Sequence, residues 1–141
     1  MNSEWRTKNL HYFLEDFNEY LNELELALLK LAETINDAEV INCLLRHGGS
    51  SIRGGAMLFG FSTISKIIVY FNQFLVILRD RPVKTDSQLE TLLFKVFEIL
   101  KQFYCKLSIP VGLSENEEMQ FLLKSELIFT EIDLYLMLSL N

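Results

Sequence analysis

The sequence predicts an all-α fold: an antiparallel up-and-down helical bundle with a four-helix core and a fifth helix, formed as one domain over residues 1–141. Three observations carry that expectation. Apolar residues recur at three- and four-residue steps almost throughout, and no stretch alternates for long enough with the period of two that a half-buried strand needs. Only two prolines and six glycines are present to interrupt regular structure, while half of the residues are hydrophobic and 23% charged, which excludes a disordered chain. The breaks between periodic stretches are short, as antiparallel neighbours require.

The first helix spans roughly residues 7–34. Leu10, Phe13, Leu14, Phe17, Leu21, Leu24, Leu28 and Leu31 form its apolar stripe, with Glu15, Asp16, Glu19, Glu23 and Lys30 between them. Asn36-Asp37-Ala38-Glu39 forms a cap with an acid three places after Asn36, and opens a second helix over about 37 to 58. Phe61, Ile64, Ile67, Ile68, Phe71, Phe74, Leu75 and Leu78 mark the third. Arg79-Asp80-Arg81-Pro82 closes it, because the residue before a proline is pushed out of helical geometry. Thr85-Asp86-Ser87-Gln88 is a capping box for the fourth helix, which turns Leu89, Leu92, Leu93, Val96, Leu100, Phe103 and Leu107 inward. After a break at Ser108-Ile109-Pro110-Val111-Gly112, a further box, Ser114-Glu115-Asn116-Glu117, starts the last helix, which runs to about 139. That helix is nearly ringed by Leu134, Tyr135, Leu136, Met137, Leu138 and Leu140, so either the bundle buries it on several sides or it serves self-association.

Composition narrows the function. A net charge of −6, without a dense run of Lys and Arg, argues against nucleic acid, since phosphate binding works by counterion release to clustered cations. Apolar runs reach only about five residues, and the amino terminus has no apolar leader core, so no membrane span or signal peptide is expected and a cytoplasmic location is the default. Cys43 and Cys105 stand apart with no histidine at ligand spacing, which fits buried reduced thiols and no metal site. No cofactor motif, kinase module or Ser/His/Asp order is present, and no enzymatic activity is expected.

One stretch defies helical economy. Five of the six glycines, Gly48, Gly49, Gly54, Gly55 and Gly60, fall within thirteen residues. Each glycine inside a helix costs about 0.8–1 kcal/mol relative to alanine, so four together forfeit roughly 3–4 kcal/mol. Either they let helices pack tightly, or they leave a bare backbone on which a partner or a phosphoryl group can sit.

The residues from Ser50 to Phe61, Ser-Ser-Ile-Arg-Gly-Gly-Ala-Met-Leu-Phe-Gly-Phe, resemble the signature of histidine phosphotransfer (Hpt) domains of chemotaxis-type histidine kinases. That signature runs His, Ser or Thr, Ile, Lys, Gly, Gly, Ala, two free positions, Leu or Phe, Gly, Phe or Leu. The first helix, the lead-in from Ala38 to Leu45 and the third helix are similar to the family's as well. The resemblance implies an Hpt-like bundle whose second and third helices bind a response-regulator receiver domain or a histidine-kinase component. Ser50, Ser51, Arg53, Gly54 and Met57 would meet the partner, with Arg53 standing in for the family's lysine and Gly54 for the glycine that makes room for the incoming domain.

Ser50 occupies the position of the phospho-accepting histidine. A histidine phosphoramidate matches the energy of a receiver's aspartyl phosphate, so transfer runs both ways. A serine phosphate is a stable ester that would not return its phosphoryl group, and a serine without a base beside it is a weak nucleophile. The resemblance therefore implies a phosphotransfer-deficient signalling module. His47 is the alternative phosphoacceptor. It lies three residues before Ser50, on a regular helix one turn (~5 Å) away and facing broadly the same way, where it would sit on the solvent-facing rim of the site. Arg46 looks displaced by one residue from the family's pattern, and a bulge at Gly48-Gly49 could bring His47 towards the docking patch. His11 is expected at the bundle edge without a chemical role. A structural helical protein with no signalling role is the remaining reading.

Overall fold

The computed structural model describes residues 3–81, 83–109 and 112–139, and no strand occurs among them. Pro82, Pro110, Val111 and Leu140, which figure in the expected breaks and in the last helix, lie outside the described residues. In chain order the elements are α1 (Ser3–Leu29), α2 (Leu31–Thr34), α3 (Ala38–Arg46), a π-helical segment (His47–Ile52), α4 (Arg53–Leu58), α5 (Ser62–Asp80), α6 (Ser87–Leu107) and α7 (Glu115–Ser139).

The first helix departs from the expected single span of 7–34. It begins at Ser3 and breaks at Lys30, whose torsions (φ −121°, ψ 41°) leave the helical region. No glycine or proline marks the break. Leu31 still reaches the core, and the Thr34 hydroxyl donates back to the Ala27 carbonyl at 2.8 Å, so the short α2 folds against the end of α1. The caps of α3 and α6 sit one residue later than expected. Asp37 accepts from the Glu39 and Val40 amides at 3.1 and 3.3 Å, and Asp86 accepts from the Leu89 amide at 3.0 Å. The α7 box is reciprocal as expected: Ser114 Oγ accepts from the Glu117 amide at 3.1 Å, and Glu117 Oε1 accepts from the Ser114 amide at 3.2 Å.

Cross-helix contacts give the directions. Along α1 from Glu23 through Phe13 to Arg6, the partners climb from His47 through Gly55 to Phe59, so α1 runs against the α3–α4 stretch. Asn42 meets Arg79 and Leu45 meets Asn72, so α5 runs against it as well. Lys106 pairs with Glu117 at one end of α7 while the Tyr135 hydroxyl donates to the Lys84 carbonyl at the other, which sets α7 against α6. The predicted inward stripes, joined by Tyr20, which they did not include, form one apolar cluster around Phe17, Leu24, Ile67, Ile68, Phe71, Leu93 and Phe103, all fully buried.

Two burial expectations are corrected. Cys43 and Cys105 are free thiols, but both are exposed, because on α3 and α6 they lie beside the core-facing Leu44 and Phe103 rather than in line with them. The last helix is not buried on several sides. Phe121, Ser125, Phe129, Ile132, Tyr135 and Leu136 face inward, while Leu134, Met137 and Leu138 are exposed.

Candidate functional site

The α3–α4 stretch is nearly continuous, since Arg46, Ile52 and Arg53 all keep right-handed helical torsions, but it is not one regular α-helix. Between His47 and Ile52 the winding widens, and the Arg53 amide donates to the Gly48 carbonyl five residues back. Such a π turn accommodates one extra residue inside an α-helix, and a neighbour commonly takes up a backbone group it leaves over. Here Asn72 of α5 reaches across, its Nδ2 donating to the Leu45 carbonyl at 3.3 Å.

The glycines divide by role. Gly48 is buried, and a Cβ there would lie 3.3 Å from Tyr20 and 3.4 Å from Asn72 Oδ1. A Cβ on Gly55 would run into the ring of Phe13. These two let α1 and α5 approach the backbone. Gly60 has φ +79° and ends α4, with the Phe61 amide donating to the Ala56 carbonyl at 2.7 Å and the Gly60 amide to the Met57 carbonyl at 3.2 Å. That is the paired closure of a Schellman turn, which needs a left-handed residue. Gly54 differs from Gly48 and Gly55 in being exposed, with nothing within 4 Å of the position its Cβ would take, and from Gly60 in keeping a negative φ, so no turn requires it. The tight-packing and bare-surface explanations therefore both hold, at different glycines.

Ser50, Arg53, Gly54 and Met57 are exposed and Ser51 is half-buried. Arg53 and Met57 continue across to α5, where they and Lys66, Val69, Tyr70 and Gln73 line a shallow groove of about 360 Å³. Met57, Val69 and Tyr70 give it exposed apolar walls, and Arg53 and Lys66 supply its only charges, on a chain that is acidic overall. Three larger depressions, of about 650, 630 and 580 Å³, lie between α1 and α3, between α6 and α7 and around the end of α5, and all mix acidic with basic residues.

His47 does not face the way expected of it. Its Nδ1 lies 3.0 Å from Glu23 Oε2 of α1, its ring stands edge-on to Tyr20 at 5.5 Å, and its side chain is 16% exposed. The wider winding after it breaks the i, i+3 relation with the exposed Ser50. His47 is thus turned onto α1 rather than placed on a solvent-facing rim. Nothing in the spacing of the sequence announced Glu23 as its partner, 24 residues away. Behind it, burial and the nearby Glu23 push the Tyr20 hydroxyl well above the ordinary phenol range. The Tyr20 hydroxyl and Asn72 Oδ1, on either side of Gly48, have no hydrogen-bond partner among the described residues. His11 sits in the open, paired with Glu15 at 2.8 Å.

Among the described residues no group of His, Cys, Asp and Glu side chains could hold a metal ion, and no helix is long and apolar enough to cross a membrane. No protein-family model, curated protein or solved structure matches the chain.

Proposed function

We propose that the chain is an Hpt-like signalling module, a four-helix core with α7 as the fifth helix, that binds receiver or kinase-type components of a two-component phosphorelay without relaying phosphate. The observation that carries this reading is the surface formed by α4 and the first half of α5. Gly54 leaves the backbone bare, Met57, Val69 and Tyr70 offer apolar contact, and Arg53 and Lys66 are the charges beside it. A receiver domain presents a cluster of carboxylates around its phosphorylated aspartate, so this face is complementary to it in charge and steers the encounter. Ser50 stands where the nucleophile is expected, exposed and without a side-chain hydrogen bond among the described residues, so the module occupies a partner without discharging it.

The test is titration of the chain with a panel of acyl-phosphate-charged receiver domains, read by anisotropy and by mass spectrometry that preserves phosphohistidine. Binding is expected without acid-labile phosphate on the chain. Gly54→Phe should abolish binding, and Arg53→Glu should weaken it by about tenfold. The fold should survive both, since neither side chain enters the core. Binding indifferent to both substitutions would overturn the proposal.

One observation favours a second reading, phosphotransfer through His47. A carboxylate on Nδ1 holds the ring proton there and leaves the Nε2 lone pair as the nucleophile. Labelling lost in His47→Gln and slowed in Glu23→Gln would establish it. Labelling that persists in His47→Gln would eliminate it.

A further inference from the structure

The α7 helix carries two apolar faces, and the chain covers only one. Opposite its buried side, Met119, Leu123, Leu127, Leu134, Met137 and Leu138 are each between 52% and 81% exposed. At 100° per residue these six fall within one third of the helix circumference, and no charged residue from Asn116 to Leu138 enters that sector. Taking on the order of 100 Å² of apolar surface for each exposed Leu or Met, the strip amounts to roughly 600 Å². With its polar margins it approaches the ~800 Å² per partner of a standard interface.

We propose that this strip pairs two copies of the chain, α7 against α7, antiparallel about a two-fold axis near Leu127 and Thr130. The strip is self-complementary, which is what a two-fold interface demands. Reversed on itself about that point, it sets Leu123 opposite Leu134 and Met119 opposite Leu138. A depression of about 310 Å³ beside Leu134 and Leu138 lies where Met119 of the second copy arrives.

The charges along one margin are arranged about a centre one residue away. Lys124 and Glu131 both lie on the edge towards α6, and neither makes an ion pair among the described residues. In the antiparallel pair Lys124 of each copy comes beside Glu131 of the other, twice over. The opposite margin holds Glu126 and Asp133, which repel their counterparts, so the two helices splay on that edge and leave those carboxylates in water.

The test is sedimentation velocity of the full chain in reducing buffer, across about 1–200 µM, a range that resolves micromolar dissociation constants. The wild type should sediment at twice 16.5 kDa in the upper part of that range. Leu127→Glu, at a site 68% exposed and away from the core, should leave the circular dichroism unchanged and yield a monomer throughout. Lys124→Glu should weaken pairing by about tenfold, and adding Glu131→Lys should restore it to within about threefold, because the swapped charges again meet across the axis. A wild type that stays monomeric overturns the proposal. So does a dimer indifferent to Leu127→Glu, or a charge swap that does not rescue.

Discussion

Replacing the adjacent glycines Gly54 and Gly55 by alanine, one at a time, should move stability in opposite directions. Both lie in α4, so each alanine gains about 0.8–1 kcal/mol of helix propensity. At Gly54 that gain is the whole effect, because the new methyl meets nothing within 4 Å. At Gly55 the methyl enters the space of the Phe13 ring, which cannot step aside: Phe17 and Phe59 hold it at centroid distances of 5.8 Å and Phe61 at 6.1 Å. Overpacking of this kind costs about 1–3 kcal/mol, so Gly55→Ala should be destabilising by up to about 2 kcal/mol net. The propensity gain cancels between the two variants, so the gap should equal the overpacking cost, about 1–3 kcal/mol. Urea unfolding followed by circular dichroism, with equal m-values, measures it directly. Phe13→Leu should relieve the Gly55→Ala variant specifically, giving a non-additive pair. Equal shifts at the two positions, or stabilisation by Gly55→Ala, would refute the assignment of inward and outward glycines on which the docking face rests.

Two further outcomes follow from the same contacts. Asn72→Leu removes the donor on the Leu45 carbonyl and should cost about 1–2 kcal/mol, with faster amide exchange concentrated between Gly48 and Arg53; slower or unchanged exchange there would mean that Asn72 does not hold the π turn. Lys106, then Ser114, hold the Glu117 carboxyl below its ordinary value of 4.5, and the Leu89 amide, then Tyr135, hold Asp86 below 3.8. A depressed folded-state value means stability that is present above the ordinary carboxylate range and is lost as pH falls through and below it. Urea midpoints should therefore drop on acidification below about pH 4.5, less steeply in Glu117→Gln, and identical slopes in the two proteins would contradict the pairing.

Periodicity located α5 and α6 and their inward stripes, because apolar and polar residues recur on separate faces over many turns, whereas α7 was legible only from its capping box, its two apolar faces hiding which one turns inward. The Ser114–Glu117 box was legible in full, since both of its partners are local. The other two caps moved by one residue because Asp37 and Asp86 compete with their neighbours Asn36 and Thr85, and the choice depends on which side chain reaches an unpaired amide. The break at Lys30 left no mark in the sequence, since no glycine or proline stands there and the Thr34 hydroxyl's return to the Ala27 carbonyl shows only in the folded chain. Within the candidate site, Ser50, Arg53 and Met57 are exposed. The bulge considered at Gly48-Gly49 is present as the π turn, but it turns His47 onto α1 rather than towards the docking patch, and the His47–Glu23 contact was beyond sequence reasoning because it depends on where α1 lies.

The two exposed thiols make the chain a bifunctional monomer in the polymer chemist's sense. Cys43 on α3 and Cys105 on α6 project from different helices, so oxidation that links two copies through one sulfur leaves the other available for a second link. The same two sulfurs accept maleimide dyes or spin labels without any substitution, giving the native sequence a built-in ruler between two of its helices.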